Sequence, residues 1–180
     1  MRKPRVARHE VAQPLDKPYR FIPLTQGQTA IVDAADFEWL SKFNWCAHLQ
    51  SNKRDFYAVR STEAAFIYMH KLILGCGSKN LGDHKNGNTL DNRRENLRKS
   101  THSGNSRNRR IARNNTSGFK GAIWVKDLNR PNGGRWSARI QDGEKLRFLG
   151  YFPSALDAAK AYDAAARELH GEFACLNFQG

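Results

Sequence analysis

Apolar and polar positions along this chain change rhythm repeatedly, and each change marks the border of a predicted element. From Tyr19 to Val32 the apolar residues recur every second position on either side of a glycine-containing turn, which predicts two short strands. Phe37, Leu40 and Phe43 recur at helical spacing, predicting a short helix over 34–43 with Asp33 as its N-cap. The runs NWCAHLQ and DFYAVRS then read as a hairpin around SNKR. Ala65, Phe66, Met69, Leu72 and Ile73 predict a helix over 62–74, stopped by Gly75 and Gly77. A polar, turn-rich segment follows over 78–92, and a basic helix is expected over about 93–111. Residues 1–18 are basic, contain proline and lack a period, and are expected to form a flexible arm.

At NNTSG (114–118) the pattern turns polar for a few residues, as in a linker, and a different rhythm begins. FKGAIWVK, RWSARIQD and EKLRFLGYF are strand-like and are separated by the turn signals NRPNGG and DGE. SALDAAKAYDAAARELHG is an amphipathic helix with Ser154 as N-cap, an apolar stripe of Leu156, Ala159, Tyr162, Ala166 and Leu169, and Gly171 as stop. Three strands and a backing helix make a separate small domain. The expected organisation is therefore an α+β chain: an arm over 1–18, a first domain over 19–113, a linker over 114–117 and a second domain over 118–180.

Composition narrows the function classes. The 180 residues are 39% hydrophobic, with no apolar run long enough to span a membrane. The charged N-terminal stretch has no apolar segment behind it, so neither a secretory leader nor a membrane partner is expected. Cys46, Cys76 and Cys175 are odd in number and widely spaced, which fits a reducing, intracellular (cytoplasmic) setting better than a disulfide framework or a zinc ribbon. Lys and Arg number 30 against 17 Asp and Glu, giving +13. From Asn92 to Arg113 there are eight cations (Arg93, Arg94, Arg98, Lys99, Arg107, Arg109, Arg110 and Arg113) against Glu95 alone. Solvated faces usually mix both signs; a one-signed run suits a phosphate backbone, which releases its counterions on binding.

The chemistry lies beside that run. In DHKNGN (83–88) a carboxylate and an imidazole adjoin at a tight turn. Asp83 is a hard oxygen donor suited to a magnesium-class cation, and His84 suits a general base that activates water. Phosphodiester hydrolysis needs both functions. The wider pattern DHKNGN…LDNRRENLR…TxxxNSRNRR resembles the HNH endonucleases, and within them the homing-type group. The resemblance covers about residues 20–112. It implies a ββα-metal element in which a hairpin and a helix grip one divalent cation. It also implies His84 as general base, Asn96 as the residue holding its imidazole, and Asn105 joining Asp83 as metal ligand. An all-oxygen shell favours Mg²⁺ or Mn²⁺. Arg93, Arg94, Arg98, Arg107, Arg109 and Arg110 are candidates for holding the DNA backbone. His70, before the apolar run LILG, either faces the rim of this site or is a core histidine.

Residues 117–178 resemble the Apetala-two/ethylene-response-factor DNA-binding domain through F-K-G, LGYF, AAxAYDxAA and the closing LNF. That resemblance implies a sheet laid in the DNA major groove and backed by a helix. Alternation places Trp136, Ala138 and Ile140 on one face and Ser137, Arg139 and Gln141 on the other. Lys120, Arg139, Gln141 and Arg147 are the contact candidates; Trp124 either touches DNA or is core. Ile123 and Val125 stand where the plant domains place arginines, and Phe148 where they place Trp. In the third strand, alternation and the family pattern differ on whether Arg147 or Phe148 faces outward.

Together these readings lead to an expected metal-dependent DNA endonuclease of the HNH homing type, nicking or cutting double-stranded DNA. It would act as a monomer or weak dimer without a small-molecule cofactor, in a bacterial or phage-infected cell. The alternative from another class is a non-catalytic DNA-binding transcriptional regulator.

Overall fold

The computed structural model describes residues 8–50, 55–77, 81–101, 111, 114–129 and 131–178. The chain is α+β, built of small antiparallel sheets and few helices, and it divides into two compact units, Met1–Thr101 and His102–Gly180. No described helix is long and apolar enough to cross a membrane.

The first unit opens with strands β1 (Tyr19–Pro23) and β2 (Thr29–Asp33), paired from Tyr19↔Asp33 to Pro23↔Thr29. Their turn places Gln26 and Gly27 at φ 60° and 67°, the left-handed pair that matches the twist of a tight hairpin. Gln26 is held there by donating from Nε2 to Ala47 O at 2.9 Å. Helix α1 (Ala34–Ser41) follows. Asp33 stands at its N-cap position but makes no side-chain cap bond; its Oδ2 instead accepts from Arg94 N at 2.8 Å, far along the chain. Strands β3 (Cys46–Leu49) and β4 (Phe56–Ser61) form the expected hairpin. Residues 8–18, part of the expected flexible arm, are tied down at Arg8 and Gln13. Arg8 donates to Trp45 O at 2.8 and 3.0 Å, and Gln13 exchanges two 2.9 Å bonds with the backbone of Phe21.

Two helix expectations are corrected. Over 62–74 only α2 (Met69–Ile73) is helical, because Phe66–Tyr68 forms strand β5 on the edge of β4. Thr62 ends any helix there: its hydroxyl accepts from Ala65 N at 3.1 Å while its N–H donates to Ala65 O, closing a turn that delivers an aromatic, β-prone triplet to β4. Over 93–101, the described part of the other expected helix, the chain makes a 3-10 turn (Arg94–Asn96) and then strand β7 (Leu97–Ser100). Strand β7 pairs with β6 (Leu81–His84), which lies in the stretch expected to hold only turns. Residues 102–110 lie outside the described residues. The core beneath these elements gathers Ile22, Leu24, Val32, Leu40, Trp45, Met69, Ile73 and Leu97.

The second unit is a three-stranded meander, β8 (Ala122–Lys126), β9 (Gly134–Asp142) and β10 (Lys145–Phe152), with helix α3 (Ala155–His170) packed on one face. Ser154 caps α3 as expected, accepting from Asp157 N at 3.1 Å and donating to Asp157 Oδ2 at 2.7 Å. Small residues on both sides, Ala122 and Ala138 against Ala158, let helix and sheet approach closely. Ala159, Tyr162 and Ala166 are buried, but Leu156, expected in the stripe, is exposed. Asp163, fully buried, accepts from Asn177 N, Asn177 Nδ2 and Phe178 N at 2.9–3.0 Å, fastening the C-terminal LNF segment to the helix.

Gly121 sits at φ 79°, and a Cβ there would fall 2.0 Å from a Tyr162 ring carbon. Gly121→Ala therefore combines left-handed strain with overpacking, a loss of about 3 kcal/mol. A lowered urea midpoint for the second unit is the expected result; an unchanged midpoint would mean that Tyr162 does not close over the glycine.

Candidate active site

The residues singled out around 83–96 sit on the β6–β7 hairpin and in the long loop joining its strands. Register places Asp83 opposite Arg98 and His84 opposite Leu97, the last pair before the loop. Neighbours on a strand point to opposite faces, so Asp83 and His84 diverge. His84 is 3% exposed, its ring against those of His70 (4.9 Å between centroids) and Tyr57 (5.9 Å). Burial holds the His84 imidazole below its ordinary value, so it is neutral near pH 7. Burial, with His84 beside it, pushes His70 down to about 3. Tyr57 is pushed up to about 12, chiefly by burial and then by the charges of Asp55 and Asp83, so its hydroxyl keeps its proton. His70 is thus buried, with its ring against that of His84.

Asn96 has a different task from the expected one. Its Oδ1 accepts from Asn86 N at 3.0 Å and its Nδ2 donates to Asp91 O at 2.8 Å, so the amide laces the two limbs of the loop together. An amide oxygen that does approach the imidazole is that of Asn92, whose Oδ1 lies 3.4 Å from His84 Nε2. The loop is also sewn to β2: Ile31 N donates to Leu90 O at 2.8 Å and Asn92 N to Ile31 O at 2.7 Å. Asp91 is buried and takes a fork from Arg93 (2.7 and 2.8 Å) and a bond from Asn86 Nδ2 (3.1 Å). Burial alone would raise the Asp91 carboxyl, but Arg93 and Asn86 outweigh it and hold the group below its ordinary value. Asp36 is likewise held low, first by its hydrogen bonds from Arg94 (2.8 Å each).

Of the residues expected on DNA, Arg93 and Arg94 are engaged with Asp91 and Asp36. Arg98, expected at the surface, is buried and forks Asp83 Oδ2 at 2.6 and 2.9 Å; its place opposite Asp83 on the hairpin turns it inward. Asn105, Arg107, Arg109 and Arg110 lie outside the described residues. Asp83 offers carboxylate oxygen, a donor that fits Mg²⁺ or Mn²⁺. Among the described residues no group of three His, Cys, Asp or Glu converges to hold a metal ion.

In the second unit the face away from α3 carries Arg135, Ser137, Arg139 and Gln141 of β9, flanked in register by Ile123 and Val125 on β8 and by Phe148 and Tyr151 on β10. Arg139 donates from Nε to Ser137 Oγ at 3.2 Å. Phe148 pairs with Arg139 and faces outward, whereas Arg147 pairs with Ile140, on the opposite face, and approaches Asp142 at 3.8 Å. Trp124 packs against Trp136 at 5.2 Å, by register on the helix side, and is partly exposed. Lys120 bonds through its backbone to the Asn177 amide. Arg135, which lies 3.5 Å over the Tyr151 ring, was legible as the first member of the alternation Arg135, Ser137, Arg139 but was not among the candidates. Asn92 was missed because the backbone bond that places it runs to β2, and Asp91 although its partners Asn86 and Arg93 lie close to it in sequence.

The low carboxyl values of Asp36 and Asp91 contribute stability above the ordinary value of 3.8, and this is lost as pH falls through the lower folded values. Asp36→Asn should flatten the acid limb of thermal stability as pH falls below the ordinary carboxyl value of 3.8. Arg98→Ala leaves the Asp83 carboxylate without its buried cation and should cost about 3–5 kcal/mol in denaturant unfolding. A near-neutral result would place Arg98 outside the fold's support.

The HNH endonuclease family model matches residues 83–107, from Asp83 through the hairpin and beyond it. The C-terminal region is similar to plant DNA-binding proteins. It is 55% identical over 47 residues to the Ethylene-responsive transcription factor ERF084 of Arabidopsis thaliana, covering 25% of this chain and 18% of that protein. It is 49% identical over 47 residues to the Dehydration-responsive element-binding protein 2A of Oryza sativa subsp. indica, covering 25% and 17%. It is 47% identical over 66 residues to the Ethylene-responsive transcription factor 3 of Nicotiana tabacum, covering 36% and 29%. The chain thus spans less than a third of the length of these relatives. No solved structure gives a significant match. An HNH endonuclease match around His84, followed by an ethylene-response-factor-like region, is what this chain carries.

Proposed function

We propose that the chain is a metal-dependent DNA endonuclease of the HNH homing type, its nuclease module a ββα-metal element and its second unit a duplex-binding sheet. One observation carries the reading: Asp83 and His84 are the last two residues of a hairpin strand, inside the stretch matched by the HNH endonuclease family, with Asn96 clamping the loop between them and the returning strand.

In this reading His84 takes the proton from the attacking water. Asp83 and Asn105 would hold a Mg²⁺ or Mn²⁺ ion, which when bound would supply charge neutralisation at the phosphate and the leaving oxygen. Arg98 orients Asp83, and Asn96 keeps the loop from collapsing over the base. Because His84 is covered in the free chain, its cover must open as the duplex seats. Arg107, Arg109 and Arg110 hold phosphates, while Arg93 and Arg94 shape the loop that presents the site. In the second unit Arg135, Arg139 and Gln141 face the groove among the exposed Ile123, Phe148 and Tyr151, since Arg and Gln pair with base edges and apolar groups with thymine methyls. The protein works inside the cell, as a monomer or weak dimer and without an organic cofactor. A second reading, a non-catalytic DNA-binding regulator, is favoured by the transcription-factor names of the relatives matched by the C-terminal region.

Supercoiled plasmids carrying diverse inserts separate the two. Nicked or linear product that requires Mg²⁺, vanishes with EDTA and is lost in His84→Ala by at least about 100-fold supports the nuclease. Gel retardation of the same DNA without cleavage in Mg²⁺ or Mn²⁺ selects the regulator.

A further inference from the structure

Resting on the reading of the second unit as a duplex-binding sheet, we propose how its outer face chooses a sequence. Arg135, held flat by Tyr151, takes the paired acceptors of a guanine, and Ile123 and Phe148 on the flanking strands take the C5 methyl groups of neighbouring thymines.

Register divides this face into a cationic ridge and two apolar banks. The ridge is β9, with Arg135 and Arg139; Ile123 lies beside it on β8, and Phe148 and Tyr151 on β10. Ile123, Phe148 and Tyr151 are 46, 51 and 45% exposed, while the unit's core lies on the other side of the sheet. No Asp or Glu stands at a register position of this face, and neither arginine has an ion pair among the described residues. Arg93, Arg94 and Arg98 differ in this respect, since each is paired with a carboxylate.

Arg135 is fixed by stacking rather than by charge. Its guanidinium carbon lies 3.5 Å over the Tyr151 ring, and Tyr151 packs in turn against Phe148 at 4.9 Å between centroids. Its Nε is buried and meets no acceptor among the described residues. A guanidinium stacked on a ring keeps its plane fixed, and its fork then suits two acceptors side by side. Guanine O6 and N7 present such a pair in the major groove. Arg139 is held differently, by Nε on Ser137 Oγ at 3.2 Å. Phosphate contact alone leaves the banks unexplained, because charged oxygens give Ile123 and Phe148 no apolar surface to cover. The groove floor does, since each thymine carries a methyl group there, and covering it removes apolar surface of both partners from water.

The full chain, in EDTA so that no strand is cut, selects duplexes from a random pool. The best site should hold a guanine with thymines close by. It is then remade with uracil for thymine, which removes only the methyl, and separately with 7-deazaguanine for guanine, which removes only the N7 acceptor. Uracil should weaken Kd by about 3- to 5-fold per contacted methyl, and 7-deazaguanine by about 10-fold. Ile123→Ser and Phe148→Ser, at exposed positions, should keep the wild-type melting temperature and lose part of the uracil penalty. Arg135→Lys should lose the 7-deazaguanine penalty. Equal binding of thymine and uracil duplexes, or a uracil penalty unchanged in both serine variants, would show that duplex shape and not the methyl sets the preference, and would overturn the assignment. So would a 7-deazaguanine penalty that is absent in the wild type or persists in Arg135→Lys. If no duplex is retained at all, the duplex-binding reading itself fails, a result distinct from retained duplexes that bind without regard to methyl or N7.

Discussion

The loop between β6 and β7 holds its shape through backbone groups satisfied by two buried side chains, Asn96 and Asp91. A connection of that length has no regular hydrogen-bond ladder of its own, and its N–H and C=O groups must still find partners once they leave water. Asn96 bridges Asn86 and Asp91; Asp91 gathers Asn86 and Arg93; and the Leu90–Asn92 backbone borrows the free edge of Ile31. Each bond is modest alone, near 1 kcal/mol, but an unmet partner in this setting would cost more than its bond supplies. The strand end that carries His84 is aimed by this lacing, so the chemistry assigned to His84 is inseparable from the loop's structure.

A second consequence concerns charge. The sequence reads as a basic surface from Asn92 onward, yet the first three arginines of that run turn inward or sideways to carboxylates: Arg93 to Asp91, Arg94 to Asp36 and Arg98 to Asp83. Arginine suits this task because its planar fork meets a carboxylate with two parallel donors and stays charged when partly desolvated. Two of the three carboxylates belong to the hairpin itself and one to α1, so the pairs tie the loop to the first helix as well as to itself.

The second unit shows the opposite use of the same residue types. Its helix side is filled by alanines, Ile140, leucines and aromatic rings, and this leaves the other face to arginine, serine and glutamine interleaved with Ile123, Phe148 and Tyr151. Polar and apolar groups mixed on one exposed sheet face suit a partner whose surface is itself mixed, with charged edges and a methyl-bearing floor. Buried Asp163 closes the unit by drawing the terminal Asn177 and Phe178 back onto the helix.

Local pattern was sufficient where an element's residues need only their sequence neighbours. The β1–β2 turn, the Ser154 cap, the alternation along β9 and the long helix α3 all follow from short-range geometry, and so does the adjacency of Asp83 and His84 at a turn. Pattern failed where partners lie far away. Phe66–Tyr68 has helical spacing with its neighbours, but β4 offered it an edge, and pairing outweighed weak helix propensity. Leu97–Ser100 became a strand because Leu81–His84 lay opposite it. The same reason separates Asn92 from Asn96: their spacing from His84 was readable, but which amide reaches the imidazole depends on β2 holding Asn92 by its backbone, a contact that exists only once the chain has folded. Sequence determined which chemical groups are present and in what order; tertiary structure decided which of them meet, because meeting is set by bonds between residues that the chain order keeps apart.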